Sequence, residues 1–475
     1  MSKKFYLTTP IYYVNDKPHI GHAYTTIAAD VLARYYRQKG GEVFFLTGTD
    51  EHGEHIAQAA QKAGKSPQEF VDEIAEKFKE AWTKLNIQYD DFIRTTEKRH
   101  EKGVEKFLLA LNKSGKVYQD DYKALYCSGC EDFIFEKDLI DGKCPHHKKE
   151  PKLISEKNYF FKLIDFLPQV KDLIEKDKII IEPKERKKEI LSLLKQDLGN
   201  LSISRQKVKW GIDLPFDKKQ KIYVWVEALA NYLTAIGYGA DEKKFNKIWP
   251  ADIHLMAKDI LKFHALFWPA LLLAVGLELP KKIFVHGFFT VNGQKMSKTL
   301  GNVIDPIYLA DKYGTDALRY FLLREISFGQ DGDFSIKRFE ERYNADLANG
   351  LGNLVSRVLT LSERVKTAKS ADGQLTKQIK SVQKNYQKAM EQIKFHEALE
   401  SVWQLISFCD EYIEKNKPWK LIKTEPEKFK QIISELLITL KEIAYLLEPF
   451  IPATSEKILK QLKQNKKTEA LFPRL

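Results

Sequence analysis

The run Pro18-His19-Ile20-Gly21-His22 stands where a first predicted strand gives way to a first predicted helix. Phe5 to Thr9 predicts a short buried strand, and Tyr24 to Tyr36 predicts a helix that ends before Gly40-Gly41. A helix start offers free backbone N–H groups and the positive end of the macrodipole, which attract anions. The glycine leaves room for a ligand against the backbone, and the two histidines can donate to phosphate oxygens. Taken alone, the run fits structural histidines equally well.

A second stretch, G-Q-K-M-S-K-T-L-G-N from Gly293 to Asn302, carries Lys295 and Lys298 in a loop bounded by glycines. It follows an apolar strand predicted at Ile283 to Val285. Two ammonium groups on a mobile loop suit a polyphosphate that must be gripped and then released. The alternative is a solvated basic turn, since lysine is abundant in this chain.

Composition indicates a globular protein with a polyanionic partner. The 475 residues suffice for two to four domains, and 43% apolar with 12% aromatic residues supports sizeable cores. The formal charge of +12 and the pI near 9.1 fit nucleic acid, although many lysine-rich proteins are only soluble.

The cysteines form a cluster typical of metal binding. Cys127-Ser-Gly-Cys130 and Cys144-Pro-His-His147 make two knuckles that supply four ligands for tetrahedral zinc, with His146 as the alternative last ligand. Four protein ligands leave no open position, so the predicted Zn²⁺ is structural.

The same cysteine usage fits a reducing compartment, and the amino terminus has no signal-peptide pattern. The longest apolar run, Phe267 to Leu277, is too short for a bilayer, which needs about 20 residues. We expect a cytoplasmic protein with no membrane segment.

The chain order predicts an α/β fold with a doubly wound parallel, Rossmann-like catalytic sheet, split by a small zinc-knuckle insertion and followed by an all-α helix bundle. Asp50, Glu51 and His52 fall at a strand's carboxyl end, where such sheets bind ligands. We read Lys221 to Val226 as a strand. The predicted domains are 1–115 (sheet, first half), 116–220 (insertion), 221–290 (sheet, second half), 291–340 (lysine loop and stem-contact region) and 341–475 (helical).

The two opening stretches, in this order, resemble the signature motifs of class I aminoacyl-tRNA synthetases, with Thr299 in place of the usual serine. The wider series resembles the methionyl-tRNA synthetase family nearly end to end. The matching runs are T-T-P-I-Y-Y-V-N from Thr8, T-G-T-D-E-H-G from Thr47, both knuckles, S-I-S-R from Ser202, Y-V-W-V-E-A-L from Tyr223, A-K-D-I-L-K-F-H from Ala257, H-G-F from His286 and K-P-W from Lys417. The family pattern favours His147 over His146.

The resemblance implies ATP-dependent formation of methionyl adenylate, then transfer to the terminal ribose of tRNA. His19, His22, Lys295 and Lys298 would be catalytic, Lys298 with the larger effect, and Mg²⁺ would neutralise the pyrophosphate. The implied ATP-binding residues are His19, Gly21, His22, Lys295, Met296, Ser297, Lys298 and Thr299.

The resemblance also implies a pocket in which a polarizable thioether meets aromatic and apolar groups. Asp50 would take the α-ammonium group, and Arg205 and Asp259 would pair near the site. The implied L-methionine contacts are Pro10, Ile11, Tyr13, Asp50, Trp225, Ala228, Leu229, Tyr232, Phe263 and His264. Ordinary core packing is the alternative for each aromatic.

In the helical part, the resemblance assigns Asn353, Arg357, Pro418 and Trp419 to the CAU anticodon of methionine tRNA, elongator and initiator. Asn353 and Arg357 lie one turn apart on one face, and Trp419 could stack an unpaired base. The chain ends after the bundle, which by resemblance favours a monomer.

Other protein families share parts of this pattern. Synthetases for leucine, isoleucine or valine with hydrolytic editing carry a larger insertion, and a cysteinyl enzyme would place its metal at the substrate. A nucleotidyltransferase using the H-I-G-H run, or an inactive RNA-binding relative, would not charge tRNA.

Overall fold

The computed structural model describes residues 4–127, 132–134, 136–145, 148–291, 293–296, 301–363, 373–466, 468 and 470–475, with only the backbone at a few of these, among them Lys295. The chain divides into two units. The sheet unit comprises the chain up to Pro18, Tyr36–Thr83 and Gln88–His286, and the bundle unit comprises His19–Tyr35, Lys84–Ile87 and Gly287–Leu475.

The strands are numbered in chain order. They are β1 Lys4–Tyr13, β2 Glu42–Asp50, β3 Asp91–Arg94, β4 Val117–Cys127, β5 Asp132–Ile134, β6 Lys152–Phe161, β7 Ile180–Glu182, β8 Leu201–Ser202, β9 Ser204–Arg205, β10 Asp213–Leu214, β11 Asp217–Ile222, β12 Ile253–Ala257, β13 Lys282–His286, β14 Phe289–Val291, β15 Gln294–Lys295 and β16 Gly332–Phe334.

The helices are numbered likewise. They are α1 Ile20–Gln38, α2 Glu54–Lys62, α3 Pro67–Lys84, α4 Lys98–Lys113, α5 Leu167–Glu175, α6 Lys184–Leu193, α7 Val224–Thr234, α8 Glu242–Ile248, α9 Trp268–Ala274, α10 Pro306–Tyr313, α11 Thr315–Arg324, α12 Ile336–Arg342, α13 Asn353–Ser362, α14 Gln374–Glu391, α15 Phe395–Asn416, α16 Pro418–Thr424, α17 Pro426–Leu447 and α18 Pro452–Gln464, with π-helical segments at Phe263–Phe267 and Tyr343–Gly352.

A six-stranded parallel sheet forms the centre of the sheet unit, in the order β3-β2-β1-β12-β13-β7. The order reverses between β1 and β12, and open α/β sheets bind ligands at the carboxyl ends of strands at such a point. Apolar residues of the strands and of α4, α7 and α9 form one buried cluster. The predicted parallel sheet is therefore confirmed.

The segment between β3 and β12 adds two small sheets, with orders β5-β4-β6-β8 and β10-β11-β9. Long antiparallel pairing of β4 with β6 makes the larger of them. This is the region in which the cysteine knuckles lie.

The bundle unit contains α10 to α18 and the small sheet β15-β14-β16. The apolar period predicts continuous helix across Leu375 to Lys415, but the structure breaks it into α14 and α15 at Gln392–Lys394. Ile393 takes a left-handed conformation there, with φ 57°, which periodicity cannot reveal because Ile393 is buried like its helical neighbours.

One strand prediction is wrong. Lys221 to Val226 does not continue as a strand, because β11 ends at Ile222 and α7 begins at Val224. Both faces of α7 are buried, so its sequence lacks the polar stripe that marks a surface helix, and the alternation of Tyr223 to Val226 mimics a strand.

Within the described ranges, none of the helices combines the length and apolar character that crossing a bilayer requires.

Candidate active site

In the sheet unit, the predicted amino-acid pocket lies at the carboxyl ends of neighbouring strands. Pro10, Ile11 and Tyr13 come from the end of β1, and Asp50 is the last residue of β2. The pairing of β1 with β2 shifts register between Thr8 and Ile11. Proline cannot donate to a sheet ladder, so a bulge is the position where a central strand tolerates it.

The aromatic wall comes from α7 and the π-helical segment after β12. The rings of Trp225 and Phe263 stack with centroids 3.6 Å apart and planes 5° from parallel. Ala228, Leu229 and Tyr232 follow Trp225 on α7 and are buried. The predicted residues of the pocket therefore come from four adjoining segments of the same unit.

Tyr232 and His264 form a buried polar pair in this wall. The Nδ1 atom of His264 is 3.0 Å from the carbonyl oxygen of Ile260, which can only accept, so Nδ1 carries the ring hydrogen. Burial lowers the pKa of His264 to about 4, leaving the ring neutral. Its Nε2 atom then accepts from the Tyr232 hydroxyl at 2.7 Å.

Thr8 and His254 pack against Tyr232. They face each other on β1 and β12, with Thr8 Oγ1 2.7 Å from His254 Nδ1, and both are fully buried. The His254 ring lies 4.2 Å from that of Tyr232. Burial raises the pKa of the Tyr232 hydroxyl, and hydrogen bonds from Asn231 and Thr8 oppose that rise.

The acidic residues after β2 have different surroundings. Glu51 is fully buried, accepts from Arg94 at 2.7 and 3.0 Å, and receives hydroxyls of Thr49 and Thr96. Glu51 is thus a structural anchor of this strand end. The assignment of Asp50 to an ammonium group stays a prediction.

Sequence reasoning missed a buried ion pair next to this wall. His52 Nδ1 is 3.0 Å from an Oε1 atom of Glu227, which is fully buried on α7. Burial opposes a charge on His52, but the Glu227 carboxylate outweighs it and raises the pKa. A single glutamate inside the apolar run of α7 is the signal that could have revealed it, since a buried charge needs a partner.

Arg205 also has a partner that the sequence did not reveal. Its guanidinium pairs with Glu156 at 3.0 Å and lies 4.1 Å from the ring centroid of Tyr126. Both members of the ion pair are buried. The pairing of Arg205 with Asp259 stays a prediction.

In the bundle unit, the histidines of the H-I-G-H run are neutral. The rings of His19 and His22 stack 3.9 Å apart. His22 Nδ1 accepts the His19 backbone N–H at 3.2 Å, and His19 Nδ1 accepts the Gly21 N–H at 3.1 Å. Burial and the neighbouring His19 lower the pKa of His22. Each ring therefore carries its hydrogen on Nε2 and can donate there.

Contrary to expectation, three backbone N–H groups at this helix start are already bonded within the protein. Those of His19 and Gly21 bond to the two rings, and that of Ile20 donates to the Ile304 carbonyl at 3.0 Å. The Nε2–H groups of the two rings are further donors of the run. A Cβ at Gly21 would come 2.9 Å from His19, which explains the glycine.

The lysine loop is partly described. Lys295 ends β15, paired with Thr290 of β14, and the Met296 methyl lies 3.8 Å from the position a Cβ would take at Gly21. Met296 of the loop therefore lies close to the H-I-G-H run within the bundle unit. Ser297, Lys298 and Thr299 lie outside the described residues.

The predicted zinc ligands are described in part. Cys127 ends β4, and the Lys148 N–H donates to the Cys144 carbonyl at 2.7 Å; both cysteines are buried. Cys130 and His147 lie outside the described residues. Among the residues that are described, no three His, Cys, Asp or Glu side chains group as metal ligands.

The predicted anticodon residues lie on two helices of the bundle unit, α13 and α16. Asn353 is exposed at the start of α13, and Arg357 pairs with Asp410 at 3.1 Å and Glu414 at 2.5 Å, both on α15. Pro418 is buried at the start of α16, whereas Trp419 is 42% exposed. An exposed tryptophan ring suits base stacking.

Comparison with known proteins gives a consistent result. Residues 5–153 and 135–359 match the family "tRNA synthetases class I (M)", and residues 364–472 match "Anticodon binding domain of methionyl tRNA ligase". The chain is 45% identical over 477 residues to a methionine–tRNA ligase of Thermotoga maritima, covering 98% of this chain and 76% of that one. A relative from Caldanaerobacter subterraneus subsp. tengcongensis is 44% identical, with 97% and 74% covered.

The fold agrees with solved structures as well. The Mycobacterium tuberculosis methionyl-tRNA synthetase in complex with methionyl-adenylate superposes with a TM-score of 0.93 at 35% identity, covering 99% of this chain and all of that one. Its apo form gives 0.88 at 32% identity. The chain belongs to the methionyl-tRNA synthetase family of class I aminoacyl-tRNA synthetases.

Proposed function

We propose that the protein activates L-methionine with ATP and transfers the methionyl group to the 3′-terminal ribose of methionine tRNA. The observation that carries the proposal is the buried wall of Trp225, Phe263, Tyr232 and His264 at the switch point of the sheet. A thioether fits among aromatic edges and one polar pair, because binding it does not require a charged group.

In the first step, an oxygen of the methionine carboxylate bonds to the α-phosphorus of ATP, the bond to the bridging oxygen breaks, and pyrophosphate leaves. In the second, a ribose hydroxyl attacks the acyl carbon and AMP leaves. Positioning and charge stabilisation supply the catalysis. Asp50 would hold the ammonium group of the amino acid.

The phosphates would receive the Nε2–H groups of His19 and His22, whose rings are neutral and therefore donate without a net charge. Lys295 and Lys298 would bind the leaving pyrophosphate, and Mg²⁺ would neutralise its remaining charge. Gly21, Met296, Ser297 and Thr299 complete the proposed ATP site.

The test of activation is ATP–pyrophosphate exchange with each of the twenty amino acids. Methionine-dependent exchange is expected, with loss of about 100-fold or more in Lys298→Ala. Lys337→Ala is the matched control, because that lysine is 88% exposed and its only ion pair in the described part of the chain is a distant one, 4.0 Å from Glu341. Exchange with another amino acid, or with none, would overturn the proposal.

We propose that Cys127, Cys130, Cys144 and His147 hold one structural Zn²⁺. The burial of Cys127 and Cys144 in an insertion with exposed apolar side chains, such as Leu153 at 72%, supports a metal that replaces a missing core. Elemental analysis should find about one zinc per chain, lost with Cys130→Ser but kept in Cys409→Ala. Equal zinc in both variants would contradict the assignment.

We propose that Trp419 stacks an anticodon base, with Asn353 and Arg357 reading base edges and Pro418 fixing the start of α16. Trp419→Ala should lower kcat/KM for tRNA charging about 10- to 100-fold and leave pyrophosphate exchange unchanged. Equal loss in both assays would indicate a structural role.

A further inference from the structure

The guanidinium of Arg319 on α11 is fully buried in the bundle unit. An arginine has five N–H donors, and here every one meets an acceptor. The acceptors are Phe450 O at 2.8 Å from Nε, Leu85 O at 3.1 Å and Asn86 O at 3.4 Å from Nη1, and Asp30 Oδ2 at 2.6 Å and Pro449 O at 2.9 Å from Nη2.

Arg34 completes a cluster of two cations and two anions around Asp30. Its Nε donates to the same Asp30 oxygen at 2.7 Å, its Nη2 to the Asn86 carbonyl at 2.8 Å, and its Nη1 lies 3.5 Å from Glu448. The formal charges cancel. Removing one member of such a cluster leaves a buried charge without compensation.

The cluster joins segments that have different proposed roles in the reaction. Asp30 lies on α1, the helix that begins with the H-I-G-H run, and Pro449 and Phe450 connect α17 to α18 in the region matching the anticodon-binding family. One turn before Arg319, Asp316 accepts the Thr454 N–H at 2.6 Å near the start of α18. Helix α11 therefore holds the α17–α18 loop at two points.

We propose that Arg319 is a positioning residue that couples tRNA recognition by the helix bundle to α1. The planar guanidinium fixes five acceptors in one geometry, so a shift of the α17–α18 loop is transmitted to Asp30 and hence to the helix that carries His19 and His22. A lysine has three donors on a single nitrogen, so it cannot satisfy all five acceptors at once. The proposal rests on the proposed function.

The test compares methionine tRNA with the same tRNA carrying a changed anticodon. In Arg319→Lys, the ratio of the two kcat values for charging should fall about tenfold, while the ratio of the two Kd values stays within about twofold. Pyrophosphate exchange without tRNA should stay within about threefold of the unsubstituted protein. The split between kcat and Kd separates coupling from a loss of bundle structure.

A matched control is Arg338→Lys, since Arg338 on α12 is likewise paired with carboxylates, those of Glu325 and Glu341, but lies outside the cluster and is 52% exposed. It should leave both ratios unchanged. If Arg319→Lys does not fold, Glu448→Gln carries the test, because Glu448 is 36% exposed and, within the described residues, forms one ion pair, with Arg34. A kcat ratio lowered about threefold is then expected.

An unchanged kcat ratio in the folded variant, or kcat and Kd ratios that fall together, would overturn the inference. Failure of the proposed function looks different, because the unsubstituted protein would then not charge methionine tRNA at all.

Discussion

The two histidine groups of this molecule use the same side chain in opposite ways. In the bundle unit, the Nδ1 atoms of His19 and His22 accept backbone N–H groups, so each ring donates from Nε2. In the sheet unit, the Nδ1 of His264 donates to a backbone carbonyl, so its Nε2 accepts from Tyr232. One backbone contact therefore decides whether a neutral imidazole gives or takes a hydrogen bond.

The difference matches the chemistry that each group is proposed to meet. Developing charge on phosphate oxygens calls for donors. A thioether is a weak hydrogen-bond acceptor. Because the Tyr232 hydroxyl already donates its hydrogen to His264, it does not favour a polar side chain that competes with methionine. Substitutions at His22, Tyr232, Thr8 and Glu227 test this difference.

The largest effect is expected at His22. His22→Asn keeps an acceptor near the Nδ1 position and loses the donor, so kcat for pyrophosphate exchange should fall about 100- to 1,000-fold. His22→Gln places an amide N–H near the Nε2 position and should retain at least about tenfold more activity than the asparagine variant. Higher activity in His22→Asn would show that the donor assignment is reversed.

A smaller effect is expected at Tyr232. Tyr232→Phe leaves the His264 Nε2 atom buried without its donor, so the KM for methionine should rise about tenfold with little change in kcat. Tyr313→Phe serves as the control, because its hydroxyl bonds to Glu340 in the bundle unit. A fall in kcat at constant KM would indicate that the hydroxyl acts on the reacting atoms instead.

Thr8 tests the support behind Tyr232. Thr8→Val preserves shape but removes the hydroxyl between His254 and Tyr232, so the KM for methionine should rise about threefold, since the hydroxyl acts only through its neighbours. Thr8→Ser should restore it. Equal KM values in the valine and serine variants would mean that the hydroxyl contributes nothing.

His52 is the contrasting case of a histidine held beside a carboxylate. Its pKa is raised from the ordinary value of 6.5, so the pair stabilises the fold fully below about pH 6.5 and loses that contribution as pH rises through the higher folded value. The free energy of unfolding in urea should be higher at pH 6 than at pH 9, by less than about 1 kcal/mol. This difference should disappear in Glu227→Gln. The same pH dependence in that variant would assign it to other groups.

Local pattern was sufficient for much of the fold. The strand predicted at Ile283 to Val285 lies within β13, and Asp50 ends its strand as expected. These succeed because strand periodicity and turn residues are local. The helix at Val224 was missed because burial on all faces erases the helical period. The break at Ile393 was missed for the opposite reason, because the apolar period continues through that buried residue.

The site was predictable only through family motifs. The ion pair of His52 with Glu227 spans 175 residues, and that of Asp30 with Arg319 spans 289. No local rule links such positions. The tautomers of His22 and His264 depend on backbone contacts that the sequence does not specify.

The interleaving of the two units bears on the order of synthesis. Helix α1 leaves the ribosome early, yet Asp30 cannot meet Arg319 until 289 further residues have been added. At about 5–20 residues per second this wait lasts roughly 15–60 s. During that time Asp30 can pair with Arg34 of the same helix but not with Arg319. We therefore expect the nascent chain to depend on chaperones until its last helices emerge.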